Sequence, residues 1–225
     1  TLVISVSLLL FSFPAPIILA LLINELRGKK YKSAVQTITY LPHFISIIVI
    51  CGMIRDFTAA DGIINDITAF FGGAAQTMLT KQDLFVPIYV ISDIWQTLGW
   101  TSIIYLSALM GVNEQLYEAA KIDGANRWKQ LWNVTIPGIM PTIIIMLILR
   151  IGNMLNVGYE KIILLYSPLI YENSDVISTY VYRKGLQEYN WSFSAAVGLF
   201  NSTVNFTLII GANFLSKKFN GSTLW

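Results

Sequence analysis

Two ionisable side chains stand deep inside long apolar stretches of this chain. Asp93 lies in DLFVPIYVISDIWQTLGW and Arg150 in GIMPTIIIMLILRIGN. A charge at such depth in a bilayer is costly and is found where it anchors helices or lines a path for polar cargo. At 1.5 Å per residue, Asp93 is about 14 Å and Arg150 about 12 Å from the same end of their stretches. Two roles fit these matched depths: a buried ion pair, or contact with a substrate. Around a helix at 100° per residue, Arg150, Asn153, Asn156 and Glu160 fall on one stripe about 120° wide, with Val157 inside it. On the last apolar stretch Ser194, Gly198, Asn201 and Asn205 share a face about 60° wide by the same count. Small and amide residues also glue membrane helices together, so packing and the lining of a translocation path both fit that face. The candidate substrate path is Arg150, Asn153, Asn156, Glu160, Asn201 and Asn205.

The remaining chemistry is sparse. There is no GxxxxGK[ST] phosphate loop, no HExxH and no GxSxG, so the reading is a non-enzyme without its own ATPase motif. Cys51 is the only cysteine and His43 the only histidine, so no metal site or disulfide framework is expected. Cys51 reads as a small packed residue and His43 as a helix-end residue. No carboxylates form an obvious catalytic pair, since Asp56, Asp61 and Asp66 are spaced by five and leave any one helix face. No cofactor is expected in this chain.

The elements that must hold these residues are membrane helices. Of 225 residues, 55% are hydrophobic and 12% charged, against roughly 25% charged in soluble domains. Mean hydropathy is +0.60. The fold class is all-α and polytopic, with about five spans, near 1–24, 36–54, 84–110, 138–157 and 192–215, in a single domain covering 1–225. Pro14 and Pro16 are expected to kink the first span. Polar connections cover 55–83 and 158–190, and Ile63 to Phe71 reads as a short helix on the membrane surface. The chain opens without a Met, and a further N-terminal span is expected before it. Lys and Arg decide orientation. The loop at 25–35, the stretch after 110 and the C-terminus hold nine, and the other side holds five, so the nine face the cytoplasm. Aromatics such as Trp95, Tyr159, Tyr180 and Trp191 cluster toward the other side, as belt residues or as faces for sugar rings.

One stretch between spans is amphipathic and mixed in charge: EAAKIDGANRWKQLWNVTIPGIMP, Glu118 to Pro141. Asn113 is placed to cap a short helix with Glu114 in its first turn. Asp123-Gly124 ends that helix. A second short helix sets Trp128, Leu131 and Trp132 on one face, and Pro137 is placed to open the next span. Glu114 and Glu118 are like charges one turn apart, so a basic group on a partner, or Arg127 folding back, is expected to compensate.

Glu118-Ala119-Ala120, Gly124 and Val134-Thr135-Ile136-Pro137, at this spacing, resemble the EAA loop of permease subunits of type I ABC importers. Val134 and Ile136 stand where that family has Ile and Leu. The stretches YLPHFISIIVI, DIWQTLGWTSIIYLSALMGV and LLYSPLIYENSDVISTYVYRKGL are similar to the carbohydrate and oligosaccharide branch. The resemblance implies a bacterial cell-membrane permease, with the loop at 113–136 and the C-terminus cytoplasmic. It implies coupling through Glu118, Ala119, Ala120, Asp123, Gly124, Arg127 and Pro137 to a cytoplasmic ATPase dimer that binds the ATP. It further implies a second, homologous permease subunit, an extracytoplasmic solute-binding protein and a sugar substrate; nothing points to nucleic acid. Two rivals remain open: an ATP-independent secondary transporter or channel using Asp93, Arg150 and Glu160, and a membrane enzyme acting on lipid-linked sugars.

Overall fold

The computed structural model describes residues 1–220, and no strand occurs among them. Helix α1 runs Leu2–Glu25. α2, Lys29–Tyr40, continues as a tight 3₁₀ turn through Leu41–Phe44. α3 spans Ile47–Thr58, α4 Ile63–Phe70 and α5 Gln82–Met110. α6 covers Glu114–Ile122 and α7 Arg127–Gly152. Short helices α8 (Tyr159–Leu165), α9 (Tyr171–Ser174) and α10 (Ile177–Tyr182) precede α11, Trp191–Asn220. The all-α reading therefore holds, and α1, α5 and α11 start and stop within a few residues of their expected bounds.

Two expected spans are modified, each for a physical reason. The span at 36–54 is broken: Lys29–Phe44 and Ile47–Phe70 meet at 96°. Pro42 cannot donate to the preceding turn, and Ile45 and Ser46 turn extended before Ser46 caps α3 by accepting from the Val49 N–H. The bend rests on α5. A Cβ at Gly99 would lie 2.0 Å from the Thr39 carbonyl oxygen, so only glycine admits this approach. His43 stacks on Trp100 at 4.6 Å and Phe44 meets the same ring edge-on.

The span at 138–157 ends at Gly152, with a turn from Asn153. Pro137 does not open it, because α7 is one helix from Arg127 and Pro137 falls inside. A π turn at Leu131–Thr135 comes just before the proline, and a similar π turn at Leu8–Ser12 precedes Pro14 in α1. The wider turn relieves the clash of the proline ring with the carbonyl four residues back.

Among the described residues three helices are long and apolar enough to cross a membrane, or four with the bent pair counted as one. α5 has the length, about 44 Å at 1.5 Å per residue, but carries more polar residues. It can, because α1, α2, α7 and α9 pack around it. Helices coated in apolar side chains gain little from hydrophobic burial against one another in lipid, so close contact and interhelical hydrogen bonds hold them.

Two apolar clusters result. One gathers Ala20, Ile23, Tyr105, Leu106, Leu109 and Ile139 near the α6 end of the bundle. The other, toward the opposite end, includes Ile4, Leu8, Cys51, Phe85, Tyr89 and Ile162. Cys51 packs there as a small apolar residue. Between the clusters the interior is polar.

Candidate functional site

That polar layer is built on one ridge of α5. Tyr89, Asp93, Thr97, Thr101 and Tyr105 recur every four residues over about 24 Å of helix, in a row that turns about 40° around α5 at each step. Two cavities of about 300 Å³ each open along it. The first is lined by Tyr89, Asp93, Arg150, Asn153, Asn156, Tyr159, Glu160 and Lys161, with the start of α1. The second is lined by Ser12, Thr97, Thr101, Tyr105 and Met146, and shares Asp93, Arg150 and Asn153 with the first. The cavities adjoin at the two charges that the sequence singled out.

Asp93 and Arg150 are not ion-paired. The Asp93 carboxylate accepts from the Ser12 hydroxyl at 2.7 Å, from the turn of α1 that the π geometry displaces. Arg150 makes no hydrogen bond or ion pair among the described residues, and is exposed. The expected helical stripe does not form as a stripe, because α7 stops at Gly152 and Glu160 belongs to α8. Arg150, Asn153, Asn156 and Glu160 nevertheless meet around the first cavity. The turn, not the helix, brings them there.

The two α11 amides are placed differently from these four. Asn201 donates to the Asn156 side chain at 2.9 Å, extending the cavity's amide chain. Asn205 is buried and accepts from the Leu155 backbone N–H at 3.3 Å. It thus satisfies a donor freed where α7 unwinds, and it does not line either cavity. Ser194, on the same face, donates to the Val181 carbonyl.

Lys161 was not foreseen. It lies in a stretch that reads as a polar connection, yet only 4% of it is exposed and its Nζ has no hydrogen-bond partner. The ammonium sits 5.1 Å from the Tyr89 ring centre. Burial pushes its pKa down, and the charges of Asp93 and Cys51 oppose the shift. The burial follows from α8 docking on α3, where Lys161's own carbonyl faces the Cys51 thiol. The α5 ridge was also missed, although its four-residue period is a readable signal.

The second candidate region is the helix pair at the other end of the bundle. Asn113 caps α6 through Gln115 N–H. Gly124, at φ +73°, closes it: Ala125 N–H reaches Ala120 O and Gly124 N–H reaches Lys121 O, the paired bonds of a left-handed helix terminus. Asn126 then caps α7 through Lys129 N–H. Glu118 is exposed, with no ion pair or hydrogen bond among the described residues. Arg127 does not fold back toward Glu114 and Glu118; it pairs with Glu25 at the end of α1, at 3.0 Å. Tyr117 donates to Thr135 in the π turn of α7 at 3.0 Å. Ile122 and Trp128 are 87% and 70% exposed, an apolar surface offered outward.

The connecting segment after α8 is locked by Arg183, which grips Asp175 with both guanidinium nitrogens and lies over the Tyr171 ring at 4.7 Å. Burial alone would raise the Asp175 carboxyl. Hydrogen bonds from Arg183 and Thr179 outweigh it and hold the carboxyl below its usual range.

Long apolar helices around a charged, polar cavity, with a capped helix pair exposed at one end, define a polytopic membrane transport component. The family described as binding-protein-dependent transport system inner membrane component matches residues 12–220. Protein LplB of Bacillus subtilis (strain 168) is 44% identical over 96% of this chain and 69% of its own length. The polygalacturonan/rhamnogalacturonan transport system permease protein YteP of the same organism is 43% identical over 92% of this chain and 65% of its own. A chain of the bacterial alginate ABC transporter, solved in complex with an alginate pentasaccharide-bound periplasmic protein, superposes with a TM-score of 0.95 at 45% identity. That match covers 99% of this chain and 78% of that one. The chain belongs to the binding-protein-dependent inner membrane component family, as a permease, and is a transport subunit.

Proposed function

We propose that the chain is the membrane-spanning permease of an ATP-driven importer and translocates a sugar or oligosaccharide delivered by an extracytoplasmic binding protein. Relatives named for sugar polymers support the cargo class. A cytoplasmic ATPase dimer binds the ATP, and a second, homologous permease completes the pathway. The α6 end and the C-terminus face the cytoplasm.

The observation that carries this reading is a continuous mechanical connection. The exposed surface of α6 is tied to α7 by Tyr117–Thr135, and the start of α7 is tied to α1 by the exposed pair Arg127–Glu25. α7 carries Arg150 and α1 carries Ser12, the partner of Asp93. A push on Glu118–Arg127 therefore reaches both walls of the cavities through two helices. When the ATPases close, α1 and α7 shift against α5 and the path changes the side to which it opens. Glu118, Ala119, Ala120, Asp123 and Gly124 form the docking surface. Arg127 links it to α1, and Pro137 marks the π turn through which motion enters α7. Arg150, Asn153, Asn156, Glu160 and Asn201 face the cargo, and Asn205 holds the unwound turn in place.

The test joins orientation to coupling. A cysteine replacing Gln130 is expected to resist a membrane-impermeant thiol reagent in intact cells, and one replacing Asn173 to react. Glu118→Lys is expected to insert normally but lose the ATPase on co-purification. Labelling of position 130 from outside, or full ATPase recovery with Glu118→Lys, would defeat the reading. Uptake driven by an ion gradient without ATP would favour a secondary transporter instead.

A further inference from the structure

We infer that Asp93 is the shared half of a two-position latch: the Ser12 hydroxyl holds it in the conformation described, and the Lys161 ammonium takes it in the other conformation of the transport cycle. This rests on the reading of the cavities as a path whose walls move.

Lys161 has donors and nothing to receive them. Only 4% of it is exposed, and its Nζ has no hydrogen-bond partner. An ammonium carries three donors, and leaving them empty under burial is costly, so the group calls for an explanation. The Tyr89 ring, its centre 5.1 Å from Nζ, gives the charge a face to rest on. Two carboxylates line the same cavity, Asp93 and Glu160. Glu160 precedes Lys161 on α8, and adjacent helical residues do not face each other. It is also exposed, so water serves it. Asp93 comes from the facing helix, one turn from Tyr89, and its charge already acts on Lys161. No ion pair joins the two among the described residues. The carboxylate is committed to α1 instead: Oδ2 accepts from Ser12 at 2.7 Å, and Oδ1 takes no hydrogen bond among the described residues.

The Ser12 side is the side built to move. Ser12 ends the π turn Leu8–Ser12, two residues before Pro14, where α1 departs from regular geometry. Such turns collect at functional positions. The Lys161 side is anchored, since α8 docks on α3 with the Lys161 carbonyl against the Cys51 thiol. Four rotatable bonds let the ammonium leave the Tyr89 ring for a carboxylate about 5.4 Å further along α5 without moving α8. When α1 withdraws Ser12, Asp93 needs a donor, and Lys161 has all of its own unused. One carboxylate then ties α5 to α1 in one state and to α8 in the other. The intermediate, with both bonds broken, is disfavoured, so the cavity walls take two positions and do not drift between them.

The test uses the assembled importer, the permease with its partner subunits, in lipid nanodiscs. Spin labels at Leu9 and Met154, both on the first cavity, report the fraction converted as ATP is raised. Ser12→Ala removes one tie and Lys161→Met the other. The ATP concentration for half-conversion is therefore expected to shift in opposite directions, by about tenfold each, the scale of one charge-assisted bond. The double variant Ser12→Ala/Lys161→Met is expected near the parent, and so is Lys161→Arg, which keeps a donor. Damage to the fold moves both single variants the same way or lowers the fraction converted at saturation, and either result would overturn the latch. So would an unshifted midpoint in Lys161→Met. If ATP changes no distance in the parent, the importer reading falls and the latch with it. If ATP moves the parent but the two variants do not part, the latch alone falls.

Discussion

Gly124 offers the cleanest quantitative handle on coupling. Its φ of +73° lies in the left-handed region, and a Cβ built there meets nothing within 4 Å. Any penalty for a side chain is therefore one of backbone conformation and not of crowding. An L-residue in this region costs about 1–2 kcal/mol, more when β-branched and less for Asn. Since 1.4 kcal/mol is tenfold in an equilibrium, Gly124→Val should depopulate the closed turn by about tenfold or more. Gly124→Ala should fall between, and Gly124→Asn should lie near the parent. The turn joins two capped helices, so the loss is local and the membrane bundle is expected to assemble in all three. Two assays read it. Hydrogen exchange at the Ala125 amide, bonded to Ala120 O, should quicken in the order Asn, Ala, Val. ATP-driven uptake should fall in the same order. If Asn is as damaging as Val, the side chain is at fault and not the backbone. If Val transports like the parent, the turn is not part of the coupling.

Other outcomes follow from the charges and caps. Asp93→Asn keeps an acceptor for Ser12 but leaves Lys161 without its balancing charge, so yield of the folded subunit should drop sharply. The double variant Asp93→Asn/Lys161→Met should recover much of it, because an uncompensated buried charge is the costly state; additive losses measured by thermal melting would refute that coupling. Asn205→Ala strips the acceptor from Leu155 N–H and should cost about 1–3 kcal/mol, as read by the melting midpoint of the purified complex. Asp175 has a folded pKa below its unfolded value of about 3.9. Its contribution is therefore complete above about pH 4 and is lost as pH falls through the folded value. Limited proteolysis of the segment 158–190 should be flat from pH 8 to 5 and rise below 4, and Asp175→Asn should remove that step.

The two ends of α6 were legible because each is set by one local residue: Asn113 and Gly124 act within about a turn of themselves. The bend at Pro42–Ser46 was not, because its angle is fixed by the approach of Thr39 to Gly99 on another helix. The end of α7 at Gly152 was equally hidden. Nothing in IGNMLNVG forbids another helical turn, and the turn is stabilised by Asn205, fifty residues away. That same unwinding defeats the helical-wheel argument for Asn153 and Asn156 while leaving the residues at the cavity. Arg150 and Asp93 were found because charge in an apolar run is conspicuous. Lys161 was missed because charge in a polar run is not, and its burial depends on how α8 docks against α3 and α5. Arg127 was misassigned for a related reason: its partner Glu25 lies on α1, out of reach of any local argument.

The central claim is that ATP at a partner subunit moves the cavity walls through α6. Spin labels at Leu9 in α1 and Met154 after α7, both on the first cavity, measure it directly in the assembled importer. The distance between them is expected to change when ATP is bound and trapped, and to stay at its resting value when Glu118→Lys uncouples the ATPase. An ATP-independent distance, or one that changes unaltered in the Glu118→Lys variant, would contradict the account.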